Sequence, residues 1–177
     1  MKKKVLSIVA VVLVLCCAIG GTLAWLTAKS DVVKNTFAPS GIDIKLEETT
    51  GKDYKMVPGN TIAKDPTVTV KANSEACWLF VKVTESTDLK DFITYAIAED
   101  WTALPGVDGV YYREVPASAA DQTFSVLAGD AVTVKSDVTR TMLETAKTDA
   151  PTLTFKAYAI QKDHFTTADA AWAEVSK

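Results

Sequence analysis

From residue 41 onward apolar and polar side chains alternate, the period that places every second residue on one face of a β-strand. In "GIDIKLE" Ile42, Ile44 and Leu46 share a face opposite Asp43 and Lys45. "PTVTVKA" repeats the pattern, with Val68 and Val70 against Thr67, Thr69 and Lys71. "CWLFVKV" is apolar on both faces, as a central strand requires: Trp78 and Phe80 point to one layer, and Cys77, Leu79, Val81 and Val83 to the other. "FITYAIA", "GVYYREV", "QTFSVLA", "AVTVKSDV" and "TLTFKAYAI" bring the expected strands to eight. Pro58-Gly59 suits a type II turn and Asp108-Gly109 a hairpin turn, while Ala128-Gly129-Asp130 and Pro151 mark strand ends. Many short strands with few helices predict an all-β fold, an antiparallel β-sandwich over residues 41–177.

Two stretches break the alternation. "TRTMLETAK" offers Thr139 or Thr141 as an N-cap, with Leu143 and Ala146 on one face. "TTADAAWAEV" offers Thr166 or Thr167, with Asp169 in the first turn. Trp172 and Val175 are three residues apart and share a face, which is expected to cap one end of the sandwich.

The N-terminus follows another pattern. Lys2, Lys3 and Lys4 precede an apolar run from Val5 to Ile19 interrupted only by Ser7, and small residues Gly20, Gly21 and Thr22 follow. This is the layout of a secretory signal peptide, a helix used for targeting over residues 1–24. Thr22 and Ala24 supply the small side chains a signal peptidase needs, so the cut is expected between residues 24 and 28, beside Trp25. The alternative is an uncleaved anchor, because Val5 to Leu26 forms a helix of roughly 33 Å, long enough to span a bilayer with Trp25 at its outer interface. In both readings the lysines stay inside and the rest of the chain is exported, so the signal segment is the expected membrane contact. Cys16 and Cys17 do not form a lipobox, since Leu15 precedes the first and a cysteine the second.

A cut after Ala24 leaves 153 of 177 residues, enough for one well-cored domain. Loss of the three lysines takes Lys+Arg from 19 to 16 against 22 acids, a formal charge of −6. That balance argues against nucleic acid or anionic lipid as a partner. Cys77 is then the sole cysteine, so the core has no intramolecular disulfide to rely on.

Signals for catalysis are sparse. His164 is the only histidine, and there is no HExxH, GxSxG or GxxxxGKS stretch. Cys77 lies inside an apolar strand, as a structural thiol does. Glu47-Glu48 and Glu99-Asp100 are adjacent pairs, which point to opposite faces of a strand and read as solvated charges. No catalytic residue, cofactor or metal ligand is expected.

The run "GGTLAWLTAKSDVVKNTFAPSGIDIKLEE" resembles the N-terminal region of the TasA/camelysin family, secreted bacterial proteins processed by a SipW-type signal peptidase. The likeness is carried by Gly21-Thr22, Ala24-Trp25, Asn35-Thr36-Phe37 and Gly41-Ile42-Asp43-Ile44, then by "MVPGNTIAKDPTVTVKAN" and "KAYAIQKDHF". Trp25 departs from the pattern, which has a small residue there. The resemblance implies a jelly-roll-like sandwich, export from a Gram-positive-type cell, processing by that peptidase, and a structural role in extracellular fibres or a biofilm matrix. Some members carry a metallopeptidase label, which a single histidine does not support. An exported enzyme of that kind, and a surface-binding module held by an uncleaved helix, are the competing readings.

Residues 25–40 form an extension between signal and sandwich. Val32, Val33, Asn35 and Phe37 make it β-capable, and it either closes its own domain's sheet or adds as a strand to a neighbouring copy. Processing is directly testable: Edman sequencing of exported protein is expected to start between Trp25 and Lys29. Recovery of the intact 177-residue chain from the membrane fraction would instead establish the anchored form.

Overall fold

The computed structural model describes residues 41–51 and 54–177; the expected signal helix lies outside them. Within them the fold is all-β and antiparallel, with a few short helices. The alternating stretches become β1 (Ile44–Glu47), β2 (Thr61–Ala63), β3 (Thr67–Val70) and the nine-residue β4 (Cys77–Glu85). After the helical turn α1 (Leu89–Phe92) come β5 (Ile93–Thr94), β6 (Thr102–Ala103), β7 (Val110–Val115), β8 (Gln122–Ser125) and β9 (Ala131–Val134). Helix α2 (Arg140–Thr145), the nine-residue β10 (Leu153–Gln161) and helix α3 (Ala168–Val175) complete the chain.

One sheet has the order β10-β4-β7-β6 and a second the order β1-β3-β8. A third, β2-β9-β5, continues the second around a corner. Lys64 N–H donates to Asp130 O at 2.8 Å and Val126 N–H to Pro66 O at 2.9 Å, so pairing carries on from β3/β8 to β2/β9. Pro66 suits the corner because it has no N–H to leave unpaired.

The first two sheets face one another across the main core. Val68 and Val70 from β3 and Val126 after β8 meet Cys77, Leu79 and Val81 of β4 and Val115 of β7. The opposite face of β4 carries Trp78 and Phe80, as the alternation predicts, and these pack under α3 with Ala168, Ala171 and Trp172. The helix therefore covers the outer face of the four-stranded sheet; the expectation that Trp172 caps an end of the sandwich is corrected. Phe80 draws it there: its ring lies 5.3 Å from that of Trp172, which meets Tyr158 edge-on at 5.2 Å. Trp78 Nε1 donates to Phe165 O at 3.0 Å, satisfying the one polar atom of a buried indole.

Caps resolve to Thr167, whose hydroxyl accepts from Ala170 N–H, and Thr139, which accepts from Met142 N–H, each at 3.3 Å. A smaller cluster under α2 joins Ala146 and Val138 to Val134 and Phe92.

Two strand readings change. "FITYAIA" holds only the two-residue β5 and a single bridge from Ile97 to Leu127, because Leu89 and Phe92 bury one face of a helical turn instead. "AVTVKSDV" ends as a strand at Val134, where Val138 turns inward beneath α2. Strands β2 and β6 are too short to show a period. The turns agree with the sequence: Asn60 N–H donates to Val57 O around Gly59, which has φ 81°. Gly109 has φ 70°, and a Cβ there would sit 2.4 Å from Val83 O, so only glycine fits.

Phe80 is fully buried between Tyr112 and Trp172. Phe80→Ala is expected to cost about 3–5 kcal/mol in urea unfolding, the range for buried aromatics; a loss below about 1 kcal/mol would place this ring at a yielding surface.

Candidate functional site

β10 pairs with β4 along its whole length, from Leu153 opposite Glu85 to Gln161 opposite Cys77. In an antiparallel strand half of the backbone N–H and C=O groups point to each side. Among the described residues no strand occupies the outer side of residues 153–160. Their side chains are committed: Phe155, Ala157 and Ala159 face the main core, while Tyr158 and Ile160 face the α3 layer. What this edge can offer is therefore backbone hydrogen bonding, with Lys156 as its charged outward residue, its Nζ 4.8 Å from the Tyr158 ring centroid.

The facing sheet ends on the same side. β1 pairs only with β3 among the described strands, and Ile44 and Leu46 pack into the core that Phe155 and Ala157 share. The β1 and β10 edges thus flank one seam of the structure.

Two adjoining clefts of about 410 and 390 Å³ open at the start of β10, and both are lined by Lys64, Leu153 and Thr154. Met56, Ile62 and Val132 make one wall of the first apolar, and Leu46, Pro66 and Phe155 line the second. Lys64 stands between them with its side chain only 9% exposed. An ammonium so enclosed requires partners. Its Nζ is 2.6 Å from Glu48 Oε1 and lies 5.0 and 5.4 Å from the ring centroids of Tyr54 and Phe155, close enough for cation–π attraction.

The neighbouring Asp65 fixes the chain that delivers Glu48. Its carboxylate accepts from the Thr49 hydroxyl, from Thr49 N–H at 2.9 Å, from Thr50 N–H at 3.1 Å and from the Thr50 hydroxyl at 2.8 Å. The Thr49 hydroxyl above all, with the Thr50 contacts, holds the Asp65 carboxyl well below the usual carboxylate range.

The residues singled out for processing, Thr22, Ala24 and Trp25, and for assembly, Val32, Val33, Asn35 and Phe37, all lie outside the described residues. Cys77 is fully buried, and burial pushes its thiol up to about 11, away from thiolate chemistry. His164 is exposed in the turn Lys162–His164. Among the described residues no three His, Cys, Asp or Glu side chains gather closely enough to hold a metal ion, and no helix is long and apolar enough to cross a membrane.

Adjacent acids do diverge. Glu47 pairs with the exposed Lys45 at 2.6 Å, while Glu48 turns to Lys64. The reading of Glu48 as a solvated charge is corrected, since its side chain is 18% exposed. Lys64 gave no signal in sequence: "AKDP" has the composition of a solvated turn, and its enclosure comes from Glu48, Tyr54 and Phe155 brought in from other parts of the chain. Comparison with protein-family models, curated proteins and solved structures gives no match.

Removing one member of an enclosed ion pair costs more when the survivor cannot reach water. Glu48→Gln strands Lys64 and is expected to destabilise by about 2 kcal/mol, whereas Lys64→Met keeps the apolar stem and leaves the more accessible Glu48, costing less. Urea denaturation of the two variants and their double mutant checks the order.

Proposed function

We propose that the protein is a secreted structural subunit of an extracellular fibre or biofilm matrix, built on a jelly-roll-like sandwich and assembling by strand addition. After export and removal of residues 1–24, the segment 29–38 of one copy pairs with the outer edge of β10 in the next. The observation that carries this reading is the β10 edge: a long strand, fully paired to β4 on one side, with no described strand on the outer side of residues 153–160.

Such an edge supplies affinity through backbone hydrogen bonds and register through side-chain fit. Val32, Val33, Asn35 and Phe37 give the incoming segment its strand character. Its contact with the next copy is heterologous, strand of one into edge of another, and a heterologous contact that does not close into a ring grows into a filament. Tying release of the segment to signal removal keeps a pairing-competent strand from meeting open edges inside the cell. The likeness to the TasA/camelysin family supports the same role and names a SipW-type peptidase as the processing partner.

Deletion of residues 25–38 is expected to leave a folded, soluble monomer, and Val33→Pro to weaken assembly by removing a backbone donor and fixing φ. Electron microscopy and sedimentation decide. Filaments from the truncated protein that match those of the mature chain would show that the segment completes its own sheet.

A further inference from the structure

A second surface, beside the end of β4, has the makings of a ligand site. Two adjoining open clefts of about 320 and 380 Å³ share Glu85, Tyr95 and Tyr111. Glu85 ends β4, Tyr111 lies in β7 and Tyr95 follows β5, so three strands bring them together. Tyr95 Oη donates to Glu85 Oε1 at 2.6 Å, which fixes the ring against the carboxylate. Both tyrosines are half-buried, and Tyr111 packs in part against the main core, so each ring is held in place.

The polar rim is balanced in charge. Lys90 borders the first cleft, and Lys82 and Asp108 border the second. With Glu85 this makes two carboxylates and two ammonium groups. Among the described residues Lys82, Lys90 and Asp108 form no ion pair with one another or with other side chains, which leaves them available to a ligand.

We propose that this surface binds neutral hexopyranose units of a polysaccharide. A charged ligand would meet an equal number of repelling groups. An apolar ligand needs an enclosed cavity, and these clefts are open and polar. A neutral sugar matches both features: its hydroxyls donate to carboxylates and accept from ammonium groups, and the C–H face of its ring lies on an aromatic face. Two clefts side by side fit consecutive sugar units better than a single free one. This site does not depend on strand-addition assembly, because none of its residues lies on the β10 edge.

Isothermal titration of the exported protein with cellohexaose, laminarihexaose and maltohexaose, with glucose and polygalacturonate as contrasts, tests the assignment. At least one neutral hexasaccharide is expected to bind, more tightly than glucose and than polygalacturonate. Tyr95→Ala is expected to weaken that binding about tenfold, the scale of one lost aromatic contact, while Tyr95→Phe stays within about threefold. Glu85→Gln, which keeps the shape of the side chain, is expected to weaken it as well, and unfolding temperatures show whether each variant is folded. The proposal is overturned if no neutral hexasaccharide binds, if polygalacturonate binds as tightly, or if folded Tyr95→Ala and Glu85→Gln proteins both bind unchanged.

Discussion

The structure depends on β4 being apolar on both faces. A nine-residue strand with Cys77, Leu79 and Val81 on one side and Trp78 and Phe80 on the other cannot lie at a surface without exposing one set. It therefore sits inside its sheet, flanked by β10 and β7, with a sheet over one face and a helix over the other. Large apolar area removed from water on both sides is the driving term, and ladders to β10 and β7 flank the strand on both sides over Cys77–Lys82.

That placement decides what the remaining elements can do. Helix α3 is too short to be stable alone and draws its order from Trp172 lying on Phe80 and Tyr158. β10, which must cover one edge of β4, is the last strand of its sheet among the described residues. Its inward residues are small along the middle of the strand, Ala157 and Ala159, which lets the β1 side of the facing sheet approach closely. Among the described residues the β1 and β10 edges lie along one seam, and the fibre proposal rests on that seam.

The two groups of clefts differ in chemistry. Beside the start of β10 a single lysine is enclosed by Glu48 and two aromatic rings, an arrangement whose groups satisfy one another. Around Tyr95 and Tyr111 the charges are spread and accessible, with the Tyr95 to Glu85 bond the only side-chain hydrogen bond these charges make among the described residues. The first has the character of structural support, the second of a surface that offers hydrogen bonds outward.

Local pattern determined much of this protein. Period-2 alternation marked the strands from Ile44 to Leu46, Val68 to Val70 and through β4, including which residues of β4 face each layer, because side-chain direction in a strand is fixed by its backbone. Turn chemistry at Gly59 and Gly109 and the threonine caps were equally legible, since each is a contact between near neighbours in sequence. Tertiary structure alone decided that Leu89 and Phe92 form a helical turn, that α3 lies on a sheet face, that Lys64 is buried against Glu48, and that Glu85, Tyr95 and Tyr111 meet. These depend on which distant segments cross, and a residue's burial is set by the strand that comes to lie over it, which its own neighbours in the chain do not encode.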